Sequence, residues 1–142
     1  AFEVLTVPAL VKVTAAPLLT MACHCTGCQR MSASAFSLSV AIPTPGFEVT
    51  KGEPVIGGLH GAPHHYFCPY CMSWMFTRLP GRDFVNVRPT MFEDADWFVP
   101  YIETCASEKL PFAVTGAVES FAQFPPMEEF GALLGRYRAW LG

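Results

Sequence analysis

A mainly β fold closed by one C-terminal helix is predicted by two features of the chain. Short segments of alternating apolar and polar residues, bounded by Gly and Pro, recur at roughly ten-residue intervals, the rhythm of an all-β sandwich or similar stacked sheets. After Pro125-Pro126 the period changes, and Phe130, Leu133, Leu134, Tyr137, Trp140 and Leu141 recur at helical spacing. The length of 142 residues is that of one ordinary domain with a real core, so 1–142 is expected to form a single domain.

In chain order, residues 4–14 read as extended structure, with Val11-Lys12-Val13 alternating and Pro8 marking an edge or a break between two short strands. Ala15-Ala16-Pro17 turns the chain, and Leu18-Leu19-Thr20-Met21-Ala22 reads as a strand that opens into a cysteine-rich loop. Residues 29–33 read as a helical turn. Residues 36–42 alternate large apolar with small residues and stop at Pro43-Thr44-Pro45-Gly46, the cleanest strand of the chain. Residues 47–52 form a second alternating strand, and Gly57-Gly58-Leu59-His60-Gly61 a flexible segment. His64-His65-Tyr66-Phe67, Trp74-Met75-Phe76-Thr77-Arg78 and residues 83–88 read as further strands, the last two separated by a turn at Pro80-Gly81. Residues 91–97 read as a loop or a single helical turn, and Tyr101-Ile102-Glu103-Thr104 as a short strand. The terminal helix is supported by its prolines, by Glu128 and Glu129 in its first turn and by Arg136 and Arg138 near its last.

Composition excludes several function classes. Hydrophobic residues make up 51% and charged residues 15%, which describes a globular chain and not a disordered one. The formal charge is −3 and the basic residues do not cluster beyond Arg136 and Arg138, which disfavours nucleic-acid binding through phosphates. No apolar stretch approaches the roughly 20 residues of a membrane span. Six cysteines in two tight groups plus a lone Cys105 fit a disulfide scaffold poorly, and no secretory leader is legible at Ala1, so a cytoplasmic location is expected. No feature of the sequence points to an oligomeric state.

The chemistry is concentrated in Cys23-His24-Cys25-Thr26-Gly27-Cys28, with Cys68-Pro69-Tyr70-Cys71 much later in the chain. Paired cysteines at this spacing let thiolates converge on one tetrahedral zinc ion. An extended Cys23-His24-Cys25 backbone points both sulfurs to one side and His24 to the other, and the Thr26-Gly27 turn folds Cys28 back toward them. Three protein ligands leave a position open for water or substrate, whereas four thiolates make a closed structural site. Buried, unligated cysteines acting as small core residues are the alternative. His60, His64 and His65 read as surface or hydrogen-bonded histidines, Cys105 as a buried small hydrophobe and Lys109 as a solvent-facing turn residue.

Taken together, Cys23-His24-Cys25-x-x-Cys28-Gln29-Arg30, Ser34-Ala35-Phe36, Phe67-Cys68-Pro69-x-Cys71 and Ser107-x-Lys109-x-Pro111 before a terminal helix resemble the glutathione-dependent formaldehyde-activating enzyme family, which includes centromere protein V-like proteins. The resemblance runs from about Val11 to the C-terminus. It implies a β-tent of small stacked antiparallel sheets, Zn2+ at two sites, and a carbon–sulfur lyase activity that joins formaldehyde to glutathione. By the same resemblance Cys23, Cys25 and Cys28 are ligands of a catalytic zinc, and Cys68 and Cys71 are half of a structural one. The chain departs from the family where the other half belongs, because Thr6-Val7-Pro8-Ala9 carries no cysteine and none precedes Cys23. Met72 also stands where the family has a Gly suited to a left-handed turn.

Two metal arrangements follow. Either Cys23, Cys25 and Cys28 hold an open site while Cys68 and Cys71 are metal-free, disulfide-linked or helped by His60, His64 or His65, or Cys25, Cys28, Cys68 and Cys71 form one closed site and Cys23 is spare. Spacing favours the second and family geometry the first. An open site implies a zinc-bound thiol such as glutathione adding to formaldehyde or a related aldehyde to give a hemithioacetal. Gln29 and Arg30 are then candidates to bind the amide and carboxylate of a peptidic thiol, though Arg30 equally reads as a helix-capping or solvent-facing side chain. The competing expectation is a non-catalytic, zinc-stabilised binding module of the same fold that has lost one zinc site.

Overall fold

The computed structural model describes residues 9–142. Its strands, in chain order, are β1 (Leu10–Val13), β2 (Leu19–Cys23), β3 (Ser37–Pro43), β4 (Phe47–Lys51), β5 (Val55–Gly57), β6 (His64–Phe67), β7 (Trp74–Arg78), β8 (Phe84–Val87), β9 (Ile102–Thr104) and β10 (Glu119–Ser120). Two α-helices complete the set, α1 (Thr26–Ser32) and α2 (Phe130–Leu141). The chain is mainly β with a C-terminal helix, as expected. The expected extended segment before Ala9, with its break at Pro8, lies outside the described residues.

The chain divides into two compact units. One contains the described residues up to Pro17 together with Val40–Phe98. In it β1 pairs antiparallel with β4, and β8, β7, β6 and β5 follow the second half of β3 in an antiparallel array. Burial alternates along β8, where Val85 and Val87 point inward, while β3 and β7 are buried on both faces; Val40, Ile42, Met75, Phe76, Val85 and Val87 form one core with Ala9, Phe47 and Cys68. Phe76 stacks on Tyr66 at 4.7 Å and tilts against Phe47 at 4.8 Å. The segment expected to be flexible contributes Gly57 to β5 before the chain bends away.

The other unit contains Leu18–Ser39 and Val99–Gly142. Here β9 pairs parallel with both β2 and β10, which adds parallel ladders to the antiparallel pattern expected from the rhythm of short strands. Leu19, Thr20 and Ala22 of β2 are buried, and Thr20 ties the strand to the incoming chain by donating to the Val99 carbonyl (2.7 Å) and accepting from the Tyr101 N–H (3.0 Å). The terminal helix buries a narrower stripe than its sequence suggests. Leu133 and Tyr137 are buried, while Trp140 and Leu141 remain exposed, although Trp140 still packs 5.2 Å from Tyr101. Arg136 grips Glu119 with two 2.9 Å hydrogen bonds, fastening α2 to β10.

Candidate metal centre

The register of β2 on β9 builds the site. Ala22 lies opposite Glu103 and Cys23 opposite Thr104, and the His24 N–H continues the ladder onto the Thr104 carbonyl at 3.0 Å. The chain then turns sharply. Cys25 keeps an extended conformation and caps α1, its sulfur accepting the Cys28 N–H at 3.2 Å in the place a Ser or Asp usually takes. This brings the Cys23, Cys25 and Cys28 sulfurs within 4.8 Å of one another, all three partly buried. His24 points the other way as expected, fully buried, with Nε2 donating to Glu103 Oε1 at 2.8 Å. Thr115 donates to the same carboxylate oxygen at 2.8 Å. The buried Nδ1 of His24 has no hydrogen-bond partner among the described residues.

The three thiols share their protons unequally. A hydrogen bond from Cys28 and another from Thr104 outweigh burial and pull Cys23 down to about 5, so Cys23 ionises first. Cys28, donating to that thiolate and buried beside it, is held as a thiol far above the usual range. Burial raises Cys25 as well, and the negative charge on Cys23 adds to the effect. Burial pushes Cys105 up to about 12, and the negative charge on Cys23 adds to the effect. Cys105 is buried as the sequence predicts, 2% exposed, and does not join the three-sulfur group.

The donor set fits a zinc ion. Sulfurs bound at ~2.3 Å in tetrahedral geometry stand about 3.8 Å apart, and thiols already within 4.8 Å of one another reach that spacing by small rotations. A thiolate at Cys23 is the form a metal requires.

Cys68 and Cys71 belong to the other unit and join no group of three potential ligands among the described residues. They form a tight turn of their own, in which the Met72 N–H donates to the Cys68 carbonyl at 2.8 Å and the Cys68 N–H to the Ser73 carbonyl at 2.9 Å. Met72 has φ 58°, so the left-handed turn expected of a glycine is made here by a methionine. Cys68 is buried in the core, and Cys71 is exposed with its thiol lowered chiefly by a hydrogen bond with Ser73.

Gln29 donates both amide protons to the chain, to the carbonyls of His24 (2.7 Å) and Glu108 (3.1 Å). Arg30 is exposed in the last turn of α1 with no hydrogen-bond partner among the described residues. Glu103 and Glu108 escape sequence reasoning. Glu108 accepts the Thr26 N–H at 3.0 Å and so pins the start of α1 from 82 residues away. No local pattern marks either carboxylate; only the strand at 101–104 hints that one of its faces must meet something polar.

Among the described residues, no helix is long and apolar enough to cross a membrane. No curated protein matches the chain. A crystal structure of a Rhodobacter sphaeroides protein, a structural-genomics target, is similar over 62% of this chain and 81% of that one, at 16% identity and a TM-score of 0.48. Residues 9–108, which contain both cysteine groups, match the model of the glutathione-dependent formaldehyde-activating enzyme family, and the chain belongs to that family.

Proposed function

We propose that this protein is a zinc-dependent carbon–sulfur lyase-type enzyme that joins a small thiol, glutathione or a relative, to formaldehyde or a related aldehyde. The observation that carries this reading is the convergence of Cys23, Cys25 and Cys28 inside the segment that matches the family. When bound there, a zinc ion would lower the pKa of an incoming thiol and polarise an aldehyde oxygen.

The chain's own residues do the rest. Cys23, Cys25 and Cys28 supply three sulfurs and leave one position for the substrate thiol. The hydrogen bond of His24 to Glu103 and the cap of Cys25 on Cys28 hold those sulfurs at a fixed spacing before any ligand arrives. Arg30, exposed and without a partner among the described residues, pairs with a substrate carboxylate, and the side-chain oxygen of Gln29 accepts from a substrate amide N–H. The reaction is an addition. The thiol sulfur forms a bond to the carbonyl carbon, the C=O π bond opens onto oxygen, and the proton lost from sulfur ends on that oxygen, giving a hemithioacetal.

Metal analysis of the purified protein is expected to find about one zinc per chain at the three-cysteine site, together with saturable glutathione binding, and C25S should lose both. Retention of both in C25S would overturn the proposal. The alternative function is a zinc-stabilised binding module without catalysis, which would follow if a fourth sulfur closed the shell. A closed site resists metal exchange and competition by thiols, so glutathione that fails to perturb a substituted cobalt ion would select that function.

A further inference from the structure

A second site, unrelated to the cysteines, lies on the β6–β7–β8 array. His64 and Arg78 are cross-strand partners, so their side chains leave the same face of the sheet. Beyond Arg78 the chain reverses through Leu79-Pro80-Gly81-Arg82, with the Arg82 N–H on the Leu79 carbonyl at 3.2 Å and Gly81 at φ 74°. Pro and Gly at those positions are the residues a type II turn demands. The turn returns Arg82 to the side of Arg78, and the two arginines, His64 and Thr44 line a pocket of about 230 Å³ with Leu79, Pro80 and Phe84 as its apolar wall.

The pocket's chemistry is one-sided. Its lining carries two arginines and no carboxylate, and neither arginine is paired with a carboxylate among the described residues. Asp83 follows Arg82 in the chain but does not line the pocket. Arg78 is also held in place, its guanidinium 5.3 Å from the Phe47 ring centre and 5.5 Å from that of Phe76. Those contacts steady the side chain without neutralising its charge. Two guanidinium groups, an imidazole and a hydroxyl around one small space match the donor pattern that recognises an oxyanion. The volume lies below the roughly 300–1,000 Å³ of sites for drug-sized ligands, so the ligand is small.

We propose that this pocket binds a small organic oxyanion, a carboxylate or phosphate carried on an apolar group that rests against Leu79, Pro80 and Phe84. Calorimetric titration of the full chain with phenyl phosphate, benzoate and inorganic phosphate tests it. At least one organic anion should bind saturably and more tightly than inorganic phosphate, which cannot use the apolar wall. Phenyl phosphate binding tighter than benzoate identifies a phosphate ligand and the reverse a carboxylate, and either result upholds the site. R82Q, an exposed substitution that leaves the strands intact, and R78Q should each weaken binding about tenfold or more. R136Q removes the same charge elsewhere, from an arginine that already grips Glu119, and should leave the affinity unchanged. Equal weakening by R136Q and R82Q would reduce the effect to bulk charge and overturn the site, as would the absence of saturable binding by either organic anion.

Discussion

At the residue scale, the best-buried polar group of the cysteine unit is His24, and Glu103 anchors its side chain. Burial raises the Glu103 carboxyl, but hydrogen bonds from His24, Thr115 and Ser120 together outweigh it, leaving the group below its ordinary value of 4.5. The sign of the resulting pH dependence follows from linkage. In the unfolded chain Glu103 takes up its proton near 4.5, and in the folded protein only at lower pH, so its stabilisation is complete above 4.5 and is lost as pH falls through the folded value. E103Q is therefore expected to be less stable than the parent at neutral pH by about 1–3 kcal/mol, the usual loss for weakening a buried charge-assisted hydrogen bond. Its stability should also fall less steeply below pH 4.5, and urea unfolding at pH 7 and pH 4 measures both effects. An unchanged slope in acid would mean that the carboxyl is not held by His24.

Among the elements, the strands whose side chains alternate are legible in the sequence, and β3, β4 and β8 lie where alternation puts them, while β6 and β7 lie where the apolar segments flanking Cys68 and Cys71 put them. β5 is not legible, because Gly57-Gly58 reads as flexible chain while Val55 and Ile56 pair with β6. The start of α1 is obscured for a different reason: its cap is a cysteine sulfur, a residue type that carries no capping signal in a sequence. The left-handed turn after Cys71 is legible as a requirement but not as a residue, since Met72 adopts a conformation that disfavours any side chain. Left-handed backbone costs a non-glycine residue roughly 1–2 kcal/mol, and glycine gives back roughly 0.5–1 kcal/mol in unfolded-state entropy. M72G should thus stabilise the protein modestly, by up to about 1 kcal/mol, whereas M72V should destabilise it, because a branched β-carbon fits that conformation worst. Thermal melts of the two variants decide the matter, and a loss of stability in M72G would show that the methionine side chain contributes packing that outweighs its backbone strain.

For the molecule as a whole, the candidate metal centre was more legible than the groups that hold it. Three cysteines in six residues announce themselves in any reading, but Glu103 stands 79 residues from His24 and meets it only because β9 lies parallel beside β2, a pairing no local pattern encodes. That long-range construction has a thermodynamic consequence. The three cysteines lie within six residues, but the spacing of their sulfurs is set by β2, α1 and β9, so a metal held there would bind the folded chain more tightly than the unfolded one and would be linked to folding. A ligand present at one hundred times its dissociation constant stabilises the folded state by about 2.7 kcal/mol. For a chain of this size, that corresponds to roughly 5–10 °C in melting temperature. Metal-loaded protein treated with a strong chelator is expected to melt lower by about that amount and to recover on return of zinc, while C25S should melt at one temperature with or without the chelator. The reciprocal variant C71S, in which the exposed thiol of the other cysteine pair is removed, should keep the full chelator shift if the three-cysteine site binds its metal alone. A shift abolished in C71S and retained in C23S would instead assign the metal to the closed arrangement of Cys25, Cys28, Cys68 and Cys71.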